Sequence, residues 1–164
     1  MPEYVIKITC MNNEQKIVDN LLQELGSTWG LGFLKLDDSG RCAFKTEEGV
    51  DLTLDMIAGS SHLQLLADLG SIPYNEEKQF LMRLMHYNFN STILRQAYFA
   101  LDPENNRVVL RYQHPIEGLD VNILANIIGN FTTISSEAKN SIRDLFELTN
   151  NTSFQIDNTN FIRG

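Results

Sequence analysis

Few residues in this chain of 164 have both the type and the spacing for chemistry. The most suggestive are Asp51 and Asp55 in "VDLTLDMI", with His62 shortly after. In a strand, residues four apart share a face, so the two carboxylates could hold a cation or divide acid and base roles. The same spacing describes an ordinary solvated strand face, which is the favoured reading. His86 falls in a polar helix wedge, and His114 precedes Pro115 at a strand end. In "GSSHL", Ser61 and His62 are neighbours, and strand neighbours point to opposite faces, so they are not expected to pair. "GSTWGLG" has three glycines but no following Lys-Ser/Thr, so it lacks the phosphate-cradling loop. "DPENN" lacks the spacing of a calcium loop. Cys10 and Cys42 are too far apart for a zinc motif and are read as reduced, with Cys42 in a strand. These residues imply no catalytic site, no metal and no cofactor.

Composition narrows the partners. The formal net charge is −8, from 21 acidic and 13 basic residues. No basic run exists to neutralise phosphates, which disfavours nucleic acid. No apolar run approaches the length of a membrane span. "MPEYVIKITC" lacks the basic and apolar regions of a signal peptide, so a cytoplasmic location is expected.

Several elements must carry these residues. "MNNEQKIVDNLLQELG" is an amphipathic helix with Ile17, Val18, Leu21, Leu22 and Leu25 on one face. Asn12 or Asn13 can cap it, and Gly26 is expected to stop it. "GRCAFKT", "VDLTLDMI" and "HLQLLADLG" read as three strands, the first two joined by a hairpin at "EEG". A helix over 75–90 follows Pro73, with Asn75 as cap and Glu76 and Glu77 in its first turn. Two strands flank "DPENN", and a last helix starts after Asp120. That helix is expected to be weak at Gly129 and Thr132–Ile134. The order is helix, three strands, helix, two strands, helix. It defines an α+β class, with helices packed on an antiparallel or mixed sheet. A domain over 11–149 is expected, with an N-terminal extension at 1–10, weakly alternating at Tyr4, Ile6 and Ile8, and a flexible tail at 150–164.

The middle helix is too apolar for its place. Phe80, Leu84 and Tyr87 form one stripe, and Leu81, Met82, Met85 and Phe89 form another. Together they cover about 220° of the helix, where one core needs an arc of about 100° or more. A second surface must cover the surplus, either a homodimer partner or a bound peptide.

Taken in order, "IVDNLLQELGSTWGL", "LDDSGRCAFKTEEGVDLTLDM", "LQLLADLGSIP", "FLMRLMHYNF" and "ALDPENNRVVLRYQHPIEGLD" resemble the class I chaperones of bacterial type III secretion, the family of the Tir chaperone. The resemblance covers about residues 12–148. It implies a small acidic homodimer without enzymatic activity. Such a protein binds an effector's N-terminal segment in extended form in the bacterial cytoplasm and delivers it for export, with the export ATPase as a further candidate partner. Carried onto this chain, the family's dimer contact falls at Leu81, Met82, Met85, Phe89, Tyr98 and Phe99. Its client patches fall at Val18, Leu22, Leu25, Phe33, Phe44, Leu52 and Leu54. Residues 1–10 and the tail exceed the family pattern, and "STILRQ" is bulkier than the small, glycine-rich segment of many relatives. Two alternatives stay open. One is a peptide-binding regulatory module of the same fold. The other is a small metal-dependent hydrolase built on Asp51, Asp55 and His62.

Overall fold

A computed structural model describes residues 11–72, 77–89 and 91–153. Helix α1 spans Asn13–Trp29. The Asn12 side chain accepts from the Gln15 backbone N–H at 2.8 Å, and the Gln15 side chain accepts from the Asn12 N–H at 3.1 Å. This reciprocal capping box satisfies two amides that the first turn would otherwise leave unpaired. Gly26 does not end the helix. Gly30 ends it, at φ 71°, a left-handed conformation that costs glycine least. Gly26 serves close packing instead: its carbonyl accepts from Leu31 N–H at 2.7 Å, and an added Cβ would stand 2.5 Å from the Leu31 oxygen.

The strands β1 (Arg41–Lys45), β2 (Asp51–Asp55), β3 (His62–Ser71), β4 (Tyr98–Asp102) and β5 (Arg107–Pro115) make one antiparallel sheet in the order β1-β2-β3-β5-β4. The two expected hairpins form at the expected turns, and pairing of β3 with β5 fuses them. At Asp68–Gly70 the register shifts, with Gly70 at φ 122° and its N–H held by the Asp68 carboxylate at 3.0 Å. Leu52, Leu54, Leu63, Leu65, Ala67, Val108 and Leu110 are buried on one face, as period-2 alternation requires. There they share a core with Val18, Leu22 and Leu25 of α1 and with the last helix.

Helix α2 spans Glu77–Phe89 and the four-residue α3 spans Ser91–Leu94. The sequence did not suggest α3. Its exit is made by Arg95 and Gln96, both at positive φ (46° and 72°). The expected start of α2 at Pro73–Glu76 lies outside the described residues. Helix α4 runs unbroken from Val121 to Ser153, about 50 Å at 1.5 Å per residue. Gly129 does not break it: Leu124, Ile128, Phe131, Ile134, Ala138 and Ile142 are buried along one side, and that tertiary burial outweighs weak local propensity. Lys139 Nζ ties α4 to the β1–β2 turn through the Gly49 carbonyl at 2.8 Å. The helix includes residues 150–153, which the sequence suggested were tail; residues 1–10 and 154–164 lie outside the described residues.

Candidate functional site

Asp51 and Asp55 do share the outer sheet face, away from the core. Each meets a cation of β1: Asp51 lies 3.1 Å from Lys45 Nζ, and Asp55 lies 3.3 Å from Arg41 Nε. Further across the same face Arg107 pairs with Asp68 at 2.7 Å, and Arg111 donates to Gln64 Oε1 at 2.6 Å while lying 5.9 Å from the centre of the Tyr98 ring. Such cross-strand pairs help fix register. Ser61 and His62 correct the expectation: Ser61 Oγ lies 3.1 Å from His62 Nδ1. Ser61 sits in the bend before β3, where strand alternation does not apply. The pair is exposed. His114 Nδ1 faces Tyr112 Oη at 3.2 Å and the two rings stack. Among the described residues no group of three His, Cys, Asp or Glu converges to hold a metal.

The apolar surface is organised differently. In α2, Phe80 and Leu84 are buried, and Tyr87 packs edge-to-face on Phe99 with ring centres 6.2 Å apart. This stripe faces the chain's own sheet, as its spacing suggested. On the opposite stripe Met82 is 64%, Met85 59% and Phe89 90% exposed, with Leu81 half-buried. Between α2 and β4 runs a groove of about 320 Å³ lined by Leu81, Met85, Phe99, Leu101 and neighbours, with almost no polar surface. Phe99, expected at a dimer contact, is only 6% exposed. It forms the floor of the groove and props Tyr87. Tyr98 and Leu101 of the same strand are exposed.

One residue that the sequence did not single out holds this arrangement. Asn88 Oδ1 accepts from Phe99 N–H at 2.7 Å, and Asn88 Nδ2 donates to Phe99 O at 3.0 Å. The carboxamide thus copies a neighbouring strand at the free edge of β4, fastening α2 beside it. A lone polar residue between Tyr87 and Phe89 was the available signal.

The expected client residues separate by burial. Val18, Leu22, Leu25, Leu52 and Leu54 are 0–2% exposed. They build the core and present no side chain to a client, because the faces carrying them pack against each other. Phe33 is 56% exposed and Phe44 half-buried. Ile17 and Trp29, also exposed, add to the apolar surface of α1. Phe33 lies in the return loop that follows α1. That loop is secured where Asp19 Oδ1 accepts from Leu36 N–H at 2.7 Å and where Asp37 accepts from Arg41 N–H at 3.0 Å. The Ser39 hydroxyl and then the Arg41 N–H hold the Asp37 carboxyl below the usual carboxylate range. Cys42, on the buried face of β1, has its thiol pushed up by burial.

This arrangement, a five-stranded antiparallel sheet backed by two helices with a third fastened along one edge, is the fold of solved secretion chaperones. A chain of the ExsC–ExsE complex aligns with TM-score 0.66 and 22% identity over 79% of this chain and 96% of the other. A chain of the HopA1–SchA chaperone–effector complex aligns with TM-score 0.64 and 18% identity, covering 82% and 99%. A chain of the ExoU–SpcU complex from the type III secretion system of Pseudomonas aeruginosa aligns with TM-score 0.55 and 20% identity, covering 76% and 93%. No curated protein matches at the sequence level. The family model of the Tir chaperone protein (CesT) family matches residues 20–135. The chain belongs to that family.

Proposed function

We propose that this protein is a type III secretion chaperone that binds the N-terminal region of one or more effectors, keeps it extended and soluble, and passes it to the export apparatus. It acts as a homodimer in the bacterial cytoplasm and has no enzymatic activity. The observation that carries the dimer is the exposed Met82, Met85 and Phe89 stripe beside an almost wholly apolar groove. Leaving that surface in water is unfavourable, at about 25 cal/mol per Å² of apolar area. Methionines suit an interface that must adapt its packing. Exposed Phe33, half-buried Phe44 and the exposed face of α1 offer the client surface. A client held by surface alone, without nucleotide, needs apolar pockets and backbone pairing. Two protomers presenting the same surface raise the effective concentration of the second contact.

Co-purification from the native bacterium followed by mass spectrometry tests the reading. Recovery of a secreted effector through its N-terminal region is expected. Recovery of neither a secreted protein nor an export component would overturn it. The hydrolase alternative requires an activity that Asp55→Ala abolishes without changing the sizing profile.

A further inference from the structure

β1 is the second edge of the sheet, and its hydrogen-bonding groups can be assigned one by one. The Met56 N–H donates to Gly40 O at 2.8 Å and the Thr46 N–H to Val50 O at 2.9 Å. Even-numbered residues along this stretch therefore face β2, and the backbone groups of Arg41, Ala43 and Lys45 face outward. Arg41 is already served, since its N–H meets Asp37 Oδ1 and its carbonyl accepts from Asp37 N–H at 2.7 Å. Ala43 and Lys45 are left as an open edge beside the half-buried Phe44. Open edges invite strand addition.

The start of α1 lies at one end of that edge. Gln15 Nε2 donates to Met56 O at 3.1 Å, and Met56 is paired with Gly40, the residue before β1. Ten residues precede Met11. They reach about 33 Å when extended, and the five residues of β1 span about 17 Å. A chain that arrives at Met11 from this direction crosses β1 from the Lys45 end to the Arg41 end, antiparallel to it.

We propose that Glu3–Lys7 of this chain dock as a sixth, antiparallel strand on the open edge of β1, pairing with Ala43 and Lys45. Side-chain parity and charge set the register. With Val5 opposite Ala43, Tyr4 stands beside Phe44 on the helix-backed face, and Glu3 lies opposite Lys45, which already pairs with Asp51. Moving the strand by one residue would turn Tyr4 and Ile6 to the polar outer face. Moving it by two, with Lys7 opposite Ala43, would set Glu3 against Glu47. In the chosen register the N–H groups of Glu3 and Val5 point to β1 and that of Ile6 points away. The docked strand closes the edge to any other strand. Its bearing on clients rests on the chaperone reading above, whereas the docking itself does not.

Amide hydrogen exchange on the purified full chain, without any client, tests the proposal. Ala43 and Lys45 amides are expected to exchange about tenfold or more slowly than in a chain lacking residues 2–10, as for a newly made ladder bond. Adding a synthetic peptide of residues 1–10 to the shortened chain should restore the protection. Val5→Pro removes a bonding N–H and should abolish it, whereas Ile6→Pro loses no ladder bond and should largely retain it. Equal exchange in the full and shortened chains would overturn the proposal. So would equal loss in both proline variants, which would indicate contact without strand pairing. Protection in the shortened chain that grows with protein concentration would assign the edge to a second copy instead. Since no client enters these measurements, failure of the chaperone reading would leave their outcome unchanged.

Discussion

Replacing Asn88 probes the joint between α2 and the edge of β4. Asn88→Ala removes two neutral hydrogen bonds, at 2.7 and 3.0 Å, to the two backbone groups of Phe99. Each such bond contributes about 0.5–1.5 kcal/mol net. Water can reach a strand edge in part, so the loss should total about 2 kcal/mol rather than the larger penalty of fully buried orphans. For a chain of this size that corresponds to about 4–8 °C in Tm. Asn88→Asp sharpens the test. A carboxylate still accepts from Phe99 N–H but cannot donate to Phe99 O, and it sets negative charge against that carbonyl. The protonated form can donate, so folding should raise this carboxyl's pKa above the unfolded value of about 3.9. The folded state then binds more protons, and stability falls as pH rises through that window. Asn88→Asp should therefore be less stable than Asn88→Ala at pH 7 and gain on it as the solution is acidified. Urea denaturation at fixed protein concentration, read by circular dichroism, measures both, since the midpoint of an associating protein depends on concentration. Loss of less than about 0.5 kcal/mol in Asn88→Ala, the range of ordinary surface changes, would refute the claim that the carboxamide fastens α2.

Other perturbations address the remaining features. Met85→Glu, alone or with Leu81→Glu, should convert a dimer on a sizing column to monomer or aggregate, and an unchanged dimer would assign the stripe another use. Gly26→Ala should destabilise by up to about 2 kcal/mol net in denaturant, because overpacking against Leu31 O, at about 1–3 kcal/mol, exceeds the gain of about 1 kcal/mol in helix propensity. The Asp37 carboxyl, held low first by the Ser39 hydroxyl, supplies stability that is present at neutral pH and lost as pH falls through its depressed pKa; an NMR titration should show it titrating below Asp37 in a Ser39→Ala chain. Cys42, with its thiol pushed up by burial, should react with a thiol reagent far more slowly at neutral pH than after unfolding.

Much of the fold was written in local pattern. The alternation of Val50, Leu52, Leu54 and Met56 placed a strand and chose its buried face, and all four are buried. The turn chemistry of "EEG" and "DPENN" placed both hairpins, because turn residues act over a few bonds. The two-stripe reading of α2 likewise survived, since helix period fixes which residues share a face. Where residues compete between local and distant partners, local reading failed. Gly26 has the type to stop a helix, yet it is spent on the approach of Leu31. The Gly129 region has weak propensity, yet burial carries the helix through it.

The sequence by itself determined the three long helices and the five strands, their order, the net negative charge and the surplus of apolar residues on α2. Only the tertiary structure decided which apolar residues remain at the surface. Val18 and Phe33 are alike in type, but α1 turns Val18 into the core and the return loop leaves Phe33 outside. It alone brought Asn88 to Phe99, eleven residues away, and set the start of α1 beside Gly40 and the edge of β1. Periodicity assigns a side chain to a face, but the cover over that face comes from contacts distant in the chain.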